Sequence, residues 1–233
     1  GLIMGADSYP DERVQVWNLR TSATGSAPGT MFHYSNVGFM ALGQLVEAVT
    51  GRPCHDVIRE VVLDVVGMPD SITTVKDTDR PRLAVGQQPA YEDRPWSPGD
   101  PLVPATWFEV SAADGNVAST ASDMGRYLAM LLARGRAETG RVVSDSSWVA
   151  MTTPSSPGGE PAPVPSRYGL GINIESIHDG TVLTHGGGMV GYSTFLMGEV
   201  ERGFGVVVLT NAPGDTLGAQ WLARSLYELV RSE

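Results

Sequence analysis

A tyrosine and an asparagine two residues apart, Tyr34 and Asn36, stand just ahead of an apolar helical pattern. A phenol ionises near pH ~10 and is a poor base in water. Beside a buried cation its phenolate is favoured, and it can relay a proton. The Asn36 amide, two positions on, can enter the same cleft and hold a polar group. The stretch Tyr34-Ser35-Asn36 also reads as a capping turn, with Ser35 or Asn36 as N-cap and Tyr34 on the core. Far downstream, Thr184-His185-Gly186-Gly187-Gly188 sets an imidazole against three glycines at the mouth of a strand. Glycines there permit close approach of backbone to a ligand. Their unblocked N–H groups can stabilise an oxyanion.

The elements that must position these groups follow from periodicity. Apolar residues recur at three and four from Val37 to Thr50, which predicts an amphipathic helix stopped by Gly51 and Pro53. A second helix is predicted from Cys54 to Val66, ending at Gly67, and a short one near Val14 to Leu19. Pro28-Gly29-Thr30 reads as a turn. Residues 70–112 are rich in Pro, Asp and Gly with Trp96, Trp107 and Phe108 among them. Such a long, weakly periodic, aromatic segment reads as a functional loop or covering insertion. Ser119-Thr120-Ala121-Ser122-Asp123 places an acid after a hydroxyl, a helix start, and the helix is predicted over Ala121 to Arg134. Another is predicted over Asp145 to Met151, then a loop over Thr152 to Pro165.

The period then changes. Tyr168 to Glu175, Thr181 to Thr184, Gly191 to Met197 and Gly205 to Thr210 are β-prone runs, with a hairpin turn at His178-Asp179-Gly180. Phe204 to Leu209 is almost continuously apolar, as a central strand buried on both faces would be. A helix over about Thr216 to Val230 closes the chain. Helices first, then an antiparallel meander and a final helix, predict an α+β fold whose antiparallel sheet is flanked by helices.

The run from Pro28 to Pro53, with Tyr34-Ser35-Asn36 in it, resembles the Tyr-x-Asn region of the serine β-lactamase and penicillin-binding-protein family. In the class C β-lactamase, esterase and D-aminopeptidase branches of that family the motif reads Tyr-x-Asn. Thr184 to Tyr192 is similar to the His-x-Gly version of that family's third motif. Ala112 to Asp123, Tyr168-Gly169-Leu170-Gly171 and Val206 to Asn211 are similar to its framework segments. The first of these has Asp114 where a glycine is usual, and Asp114 is assigned no role. The resemblance implies a β-lactamase/transpeptidase-like fold. It implies Tyr34 as the proton-relay base and His185 as the electropositive or hydrogen-bonding group opposite it. It implies Asn36, Gly187 and Gly188 as substrate-binding groups, with the Gly188 N–H as oxyanion donor. His in place of Lys leans toward ester or peptide acyl groups. No cofactor is expected.

The family's nucleophile leads a Ser-x-x-Lys motif, and this chain has a single lysine, Lys76, with Thr73 three residues before it. Gly1-Leu2 resembles the tail of a His-Thr-Ser-Gly-Leu segment of the family. The 233 residues are therefore expected to be the C-terminal portion of one such domain, incomplete at its N-terminal side. Its helical part would span about residues 30–150 and its sheet and last helix about 166–233. Such a piece would expose the edge of the Gly205 to Thr210 strand. A complementing N-terminal chain, or a homo-oligomer, is expected to cover it. The function expected is a serine acyl hydrolase or acyltransferase acting on a small ester, amide or peptide once Ser-x-x-Lys is supplied. The alternative is a non-catalytic relative that binds a peptide or cell-wall fragment.

Other chemistries fit less well. The net charge of −10 argues against nucleic acid, where a basic face supplies most of the affinity, and against anionic membranes. No apolar run approaches a membrane span, and the start lacks the features of a signal peptide. The four histidines, His33, His55, His178 and His185, show no zinc-site spacing. Cys54, the one cysteine, reads as a small hydrophobe. The nearest approach to a Gly-x-Ser-x-Gly elbow, Gly191 to Phe195, fails at its last position.

Overall fold

Ser35 starts the helix that carries Asn36. Its hydroxyl accepts the Gly38 amide at 3.1 Å, one of the donors a helix start leaves unpaired, and α2 runs Asn36–Thr50. Gly51 ends it in left-handed backbone at φ 68°, returning its N–H to the Glu47 carbonyl. The chain continues through α3 (Cys54–Ile58), a π-helical turn (Arg59–Leu63) and α4 (Asp64–Val66), which together fill the predicted 54–66 run. Helix α1 (Glu12–Asn18) packs on α2. The computed structural model describes residues 12–23, 25–27, 29–91, 93–94, 96–97, 99–154, 166–212 and 217–232. The start of the chain at Gly1-Leu2, Pro28 of the predicted turn and most of the predicted 152–165 loop lie outside the described residues.

The segment after α4 is not structureless. It holds a 3₁₀ turn (Asp77–Arg82) and a hairpin of β1 (Gln87–Pro89) and β2 (Leu102–Pro104). Helices α5 (Ala121–Leu132) and α6 (Asp145–Met151) follow. Thr120 caps α5 by accepting the Asp123 amide at 3.2 Å. The Asp123 carboxylate, fully buried, accepts from the Asp70 amide (2.9 Å), the Ser71 hydroxyl (2.8 Å) and Arg126 (2.8 Å). The insertion is thereby tied to the head of α5.

Five antiparallel strands follow in the order β3-β4-β5-β6-β7. They are β3 (Ser166–Tyr168), β4 (Asn173–Ile177), β5 (Gly180–Met189), β6 (Tyr192–Glu199) and β7 (Phe204–Thr210). The run predicted as one strand from Tyr168 to Glu175 is two, because the chain reverses at Gly169 to Ile172, with Gly171 at φ 86°. The glycine stretch 186–188 lies inside β5 and does not open a strand. His178 and Asp179 both take positive φ in the two-residue turn between β4 and β5, as a type I′ hairpin requires.

Alternation sorts the sheet's side chains. Leu183 and Leu196 face the helices with Leu128, Leu131 and Trp148. Val182, Phe195, Met197 and Val208 face α7 (Leu217–Arg231), meeting Ala219, Ala223 and Tyr227. Glu175 and Glu199 on that face are satisfied by Arg224 (2.8 and 2.9 Å) and by Tyr227 (2.8 Å). β7 is covered on both faces, by α5 and α7, so its apolar composition is explained. It is not central in this sheet: among the described residues it pairs only with β6 and forms an edge, the exposed edge expected at Gly205 to Thr210. No helix among the described residues is long and apolar enough to cross a membrane.

Gly169 fixes where β3 leaves α6. A Cβ there would land on the Met151 carbonyl oxygen, which already accepts the Leu170 amide at 3.0 Å. Gly169→Ala is expected to destabilise the fold by about 1–3 kcal/mol, the usual cost of overpacking. A urea midpoint unchanged from the parent would show that this seat is not tight.

Candidate active site

Tyr34, next to the Ser35 cap, is 49% exposed. His185, partly buried, is the first residue of β5 beyond the ladder with β4, which ends at Asn173↔Thr184. From His185 to Met189 the strand pairs only with β6 among the described residues. Among the described residues no strand pairs with its other flank where the glycines lie. The Tyr34 and His185 rings approach to 6.4 Å between centroids, inclined by 43°. Two residues far apart in sequence are thus brought together, as the motifs predict. Asn36, at the first turn of α2, is exposed.

The glycines differ. A Cβ on Gly187 would lie 2.7 Å from the Thr194 Oγ1, which donates to the Gly187 carbonyl at 3.4 Å. Gly188 is exposed, with nothing within 4 Å of where its Cβ would be. A side chain is excluded by packing at the first and absent at the second, so backbone is the chemistry both present.

A third ring joins the pair. Tyr168, the last residue of β3, is 6.1 Å from Tyr34, edge to face, and 6.4 Å from His185. Its hydroxyl lies 3.3 Å from His185 Nε2. Phe32 leans on its other side at 5.0 Å. Sequence reasoning gave Tyr168 only a place on a strand. The one local signal is a tyrosine ending a strand before a Gly-x-Gly turn, and the meeting itself depends on the β3-β4-β5 register. Burial, and then the neighbouring Tyr34, push the Tyr168 phenol up to about 12. Burial pushes the His185 imidazole below its ordinary value, while a backbone hydrogen bond with Gly186 acts the other way. At neutral pH Tyr168 is therefore a hydroxyl and His185 an uncharged ring. Of the two roles predicted for His185, hydrogen bonding is the one this environment favours.

The insertion 70–112 walls the far end of the strand pair. Tyr192 donates to the Ala84 carbonyl at 2.6 Å, Asn211 Nδ2 to the Val85 carbonyl at 2.8 Å, and the Gln87 amide to the Asn211 carbonyl at 3.0 Å. Gly86 sits under the Tyr192 ring, where a Cβ would be 2.9 Å from it. Asp114 is partly buried, and burial raises its carboxyl above the usual carboxylate range. The described contacts give it no link to the Tyr34 cluster.

Comparison with known proteins matches residues 6–227 to the Beta-lactamase family. The chain is 28% identical over 207 residues to an unguisins hydrolase of Aspergillus campestris, covering 88% of this chain and 38% of that one. It is 26% identical over 211 residues to a D-aminopeptidase of Gluconobacter oxydans, covering 88% and 37%. An octameric penicillin-binding protein homologue from Pyrococcus abyssi superposes with a TM-score of 0.80 at 23% identity. That match covers all of this chain and 51% of the other. The chain thus spans less than two-fifths of the curated relatives' length and about half of the solved one.

Proposed function

The chain belongs to the Beta-lactamase family, and from that premise we propose that it is part of a serine acyl hydrolase or acyltransferase acting on small esters, amides or peptides. The observation that carries this reading is the Tyr34–His185 approach of 6.4 Å beside a glycine-rich strand flank with which no described strand pairs. The names of the relatives, an unguisins hydrolase and a D-aminopeptidase, support hydrolysis, and the second supports amide and peptide bonds as the substrate class.

In this reading the attacking hydroxyl comes from a Ser-x-x-Lys segment that the 233 residues do not contain. The lysine of that segment is the cation that favours the Tyr34 phenolate, since His185 is neutral. Tyr34 Oη takes the serine proton as the serine oxygen bonds to the carbonyl carbon. Negative charge then develops on the carbonyl oxygen, where the Gly188 N–H stabilises it. Collapse breaks the bond to the leaving group, which receives the proton from Tyr34, and water or another acceptor releases the acyl group by the reverse steps. Asn36 holds the substrate's polar groups, and the backbone of Gly187 lines the groove.

The same reading places the chain as the C-terminal portion of one β-lactamase-like domain. Three exposed features support it: the β7 edge, the α2 stripe of Leu42, Leu45 and Val49, and the α7 stripe of Trp221, Leu229 and Val230. Contiguous apolar stripes of this kind mark surfaces that something covers. We assign the cover to the segment bearing the nucleophile, with a second copy of the chain as the alternative.

The chain by itself is expected to resist labelling by a fluorophosphonate or a β-lactam probe. Joined to, or mixed with, a Ser-x-x-Lys segment, it should be labelled at that serine. Labelling of the isolated chain at one of its own serines would overturn the assignment. Failure of the complemented protein to label favours the non-catalytic, peptide-binding reading.

A further inference from the structure

The His185 ring has two protein partners, the Tyr168 hydroxyl at Nε2 and a backbone hydrogen bond with Gly186. Which nitrogen carries the proton decides what the imidazole can offer. The hydroxyl of Tyr168 stands 3.3 Å from Nε2. A protonated phenol can donate to a bare nitrogen or accept from an N–H, so this contact alone does not choose between the tautomers. The hydrogen bond to Gly186 favours the charged ring, as it does when an imidazole N–H donates to a carbonyl. A carbonyl only accepts, so with Nε2 facing Tyr168 the arrangement that satisfies both partners has Nδ1 donating to the backbone and Tyr168 donating to a bare Nε2.

The Tyr168 ring is not free to choose another place. Phe32 leans on it at 5.0 Å and Tyr34 meets it edge-on at 6.1 Å, so the segment leading into α2 grips it from the helical side. Its backbone is held by the sheet, where Tyr168 pairs with Asn173 and Asn173 pairs with Thr184, the residue before His185. Cross-strand register therefore delivers the hydroxyl to the imidazole, and aromatic packing keeps it there.

We propose that Tyr168 is a positioning residue that holds neutral His185 as its Nδ1–H tautomer by donating its hydroxyl hydrogen bond to Nε2. The value of this for catalysis rests on the reading of Tyr34 and His185 given above. The tautomer itself does not.

The test is long-range ¹H–¹⁵N correlation spectroscopy of His185 in the protein as its gene encodes it, at a pH where the ring is neutral. The wild type should show one tautomer, protonated at Nδ1. Tyr168→Phe keeps the ring and removes the donor, and should move His185 to the Nε2–H form or a mixture. Signals from His33, His55 and His178 report whether the variant is folded. A wild-type spectrum of the Nε2–H form, or a Tyr168→Phe spectrum still wholly Nδ1–H, overturns the proposal. If Tyr168→Phe misfolds, the wild-type spectrum alone still decides. Because the spectrum requires no turnover, it separates this inference from the acyl-transfer reading. A confirmed tautomer in a protein that never labels would leave the inference standing and reject the enzyme.

Discussion

Tyr34→Phe is expected to lower kcat/KM of the nucleophile-bearing protein by about 10²–10⁴-fold, the range for removing a general base. The substitution deletes one oxygen and keeps the ring. The edge-to-face contact with Tyr168 at 6.1 Å and the approach to His185 at 6.4 Å involve the ring faces and edges, and a phenylalanine retains both. Tyr34 is 49% exposed, so stability should stay within about 0.5 kcal/mol of the parent, as for most surface changes. Loss of rate without loss of stability is the signature of chemistry, and hydrolysis of a p-nitrophenyl ester with a parallel urea melt reads both. Near-parental turnover would remove Tyr34 from the proton path and leave it as an aromatic wall.

The largest expected effect on stability lies elsewhere. Asp123→Ala should cost about 3–5 kcal/mol, the range for deleting one partner of a buried charged network. Its carboxylate is fully buried and is the acceptor for the Asp70 amide, the Ser71 hydroxyl and Arg126. Alanine leaves the buried Ser71 hydroxyl and the Asp70 amide without that acceptor, and an orphaned donor costs more than a made bond returns. Ser71 keeps one partner, Ser119, at 2.8 Å. Arg126 is half exposed and finds water, so the loss comes from the two loop donors more than from the ion pair. Asp123→Asn keeps an acceptor oxygen toward Asp70 and Ser71, and should fall between alanine and the parent. An alanine variant within 1 kcal/mol of the parent, an ordinary surface effect, would mean that the network is not holding the 70–71 loop to α5.

Much of this molecule is legible in its sequence because the governing interactions are local. Ser35 and Thr120 announce helix starts through hydroxyls that bond three residues on. Gly51 and Gly67 announce helix ends. Asp145 to Met151 is a helix at its predicted bounds. Tyr34-x-Asn36 and His185-x-Gly187 are readable through their resemblance to family motifs, and the fold brings Tyr34 and His185 together. What the sequence hides is long-range. The split of Tyr168 to Glu175 into two strands is set by Gly169 fitting against Met151 from another helix. The edge position of β7 is expected from the resemblance, which leaves the Gly205 to Thr210 strand without a neighbour, and not from its apolar run, which reports two covered faces and says nothing of how many neighbours bond to it. Asp123 reads as a capping acid of α5, but its three partners include donors from a loop more than fifty residues upstream. Tyr168 escapes for the same reason, since only register across two hairpins sets it beside His185.

β5 is the middle member of the five-stranded sheet, and Val182 and Leu183 on it are wholly inaccessible, one toward each hydrophobic cluster. The same strand continues into the imidazole and the glycines. The floor of the groove therefore belongs to the last unit of the molecule to open. In the proposed function, breathing that admits a ligand has to come from the rim, from the Tyr34 approach and the insertion over Tyr192. Heat should abolish the pocket and the fold in one step, with no intermediate that has lost the first and kept the second.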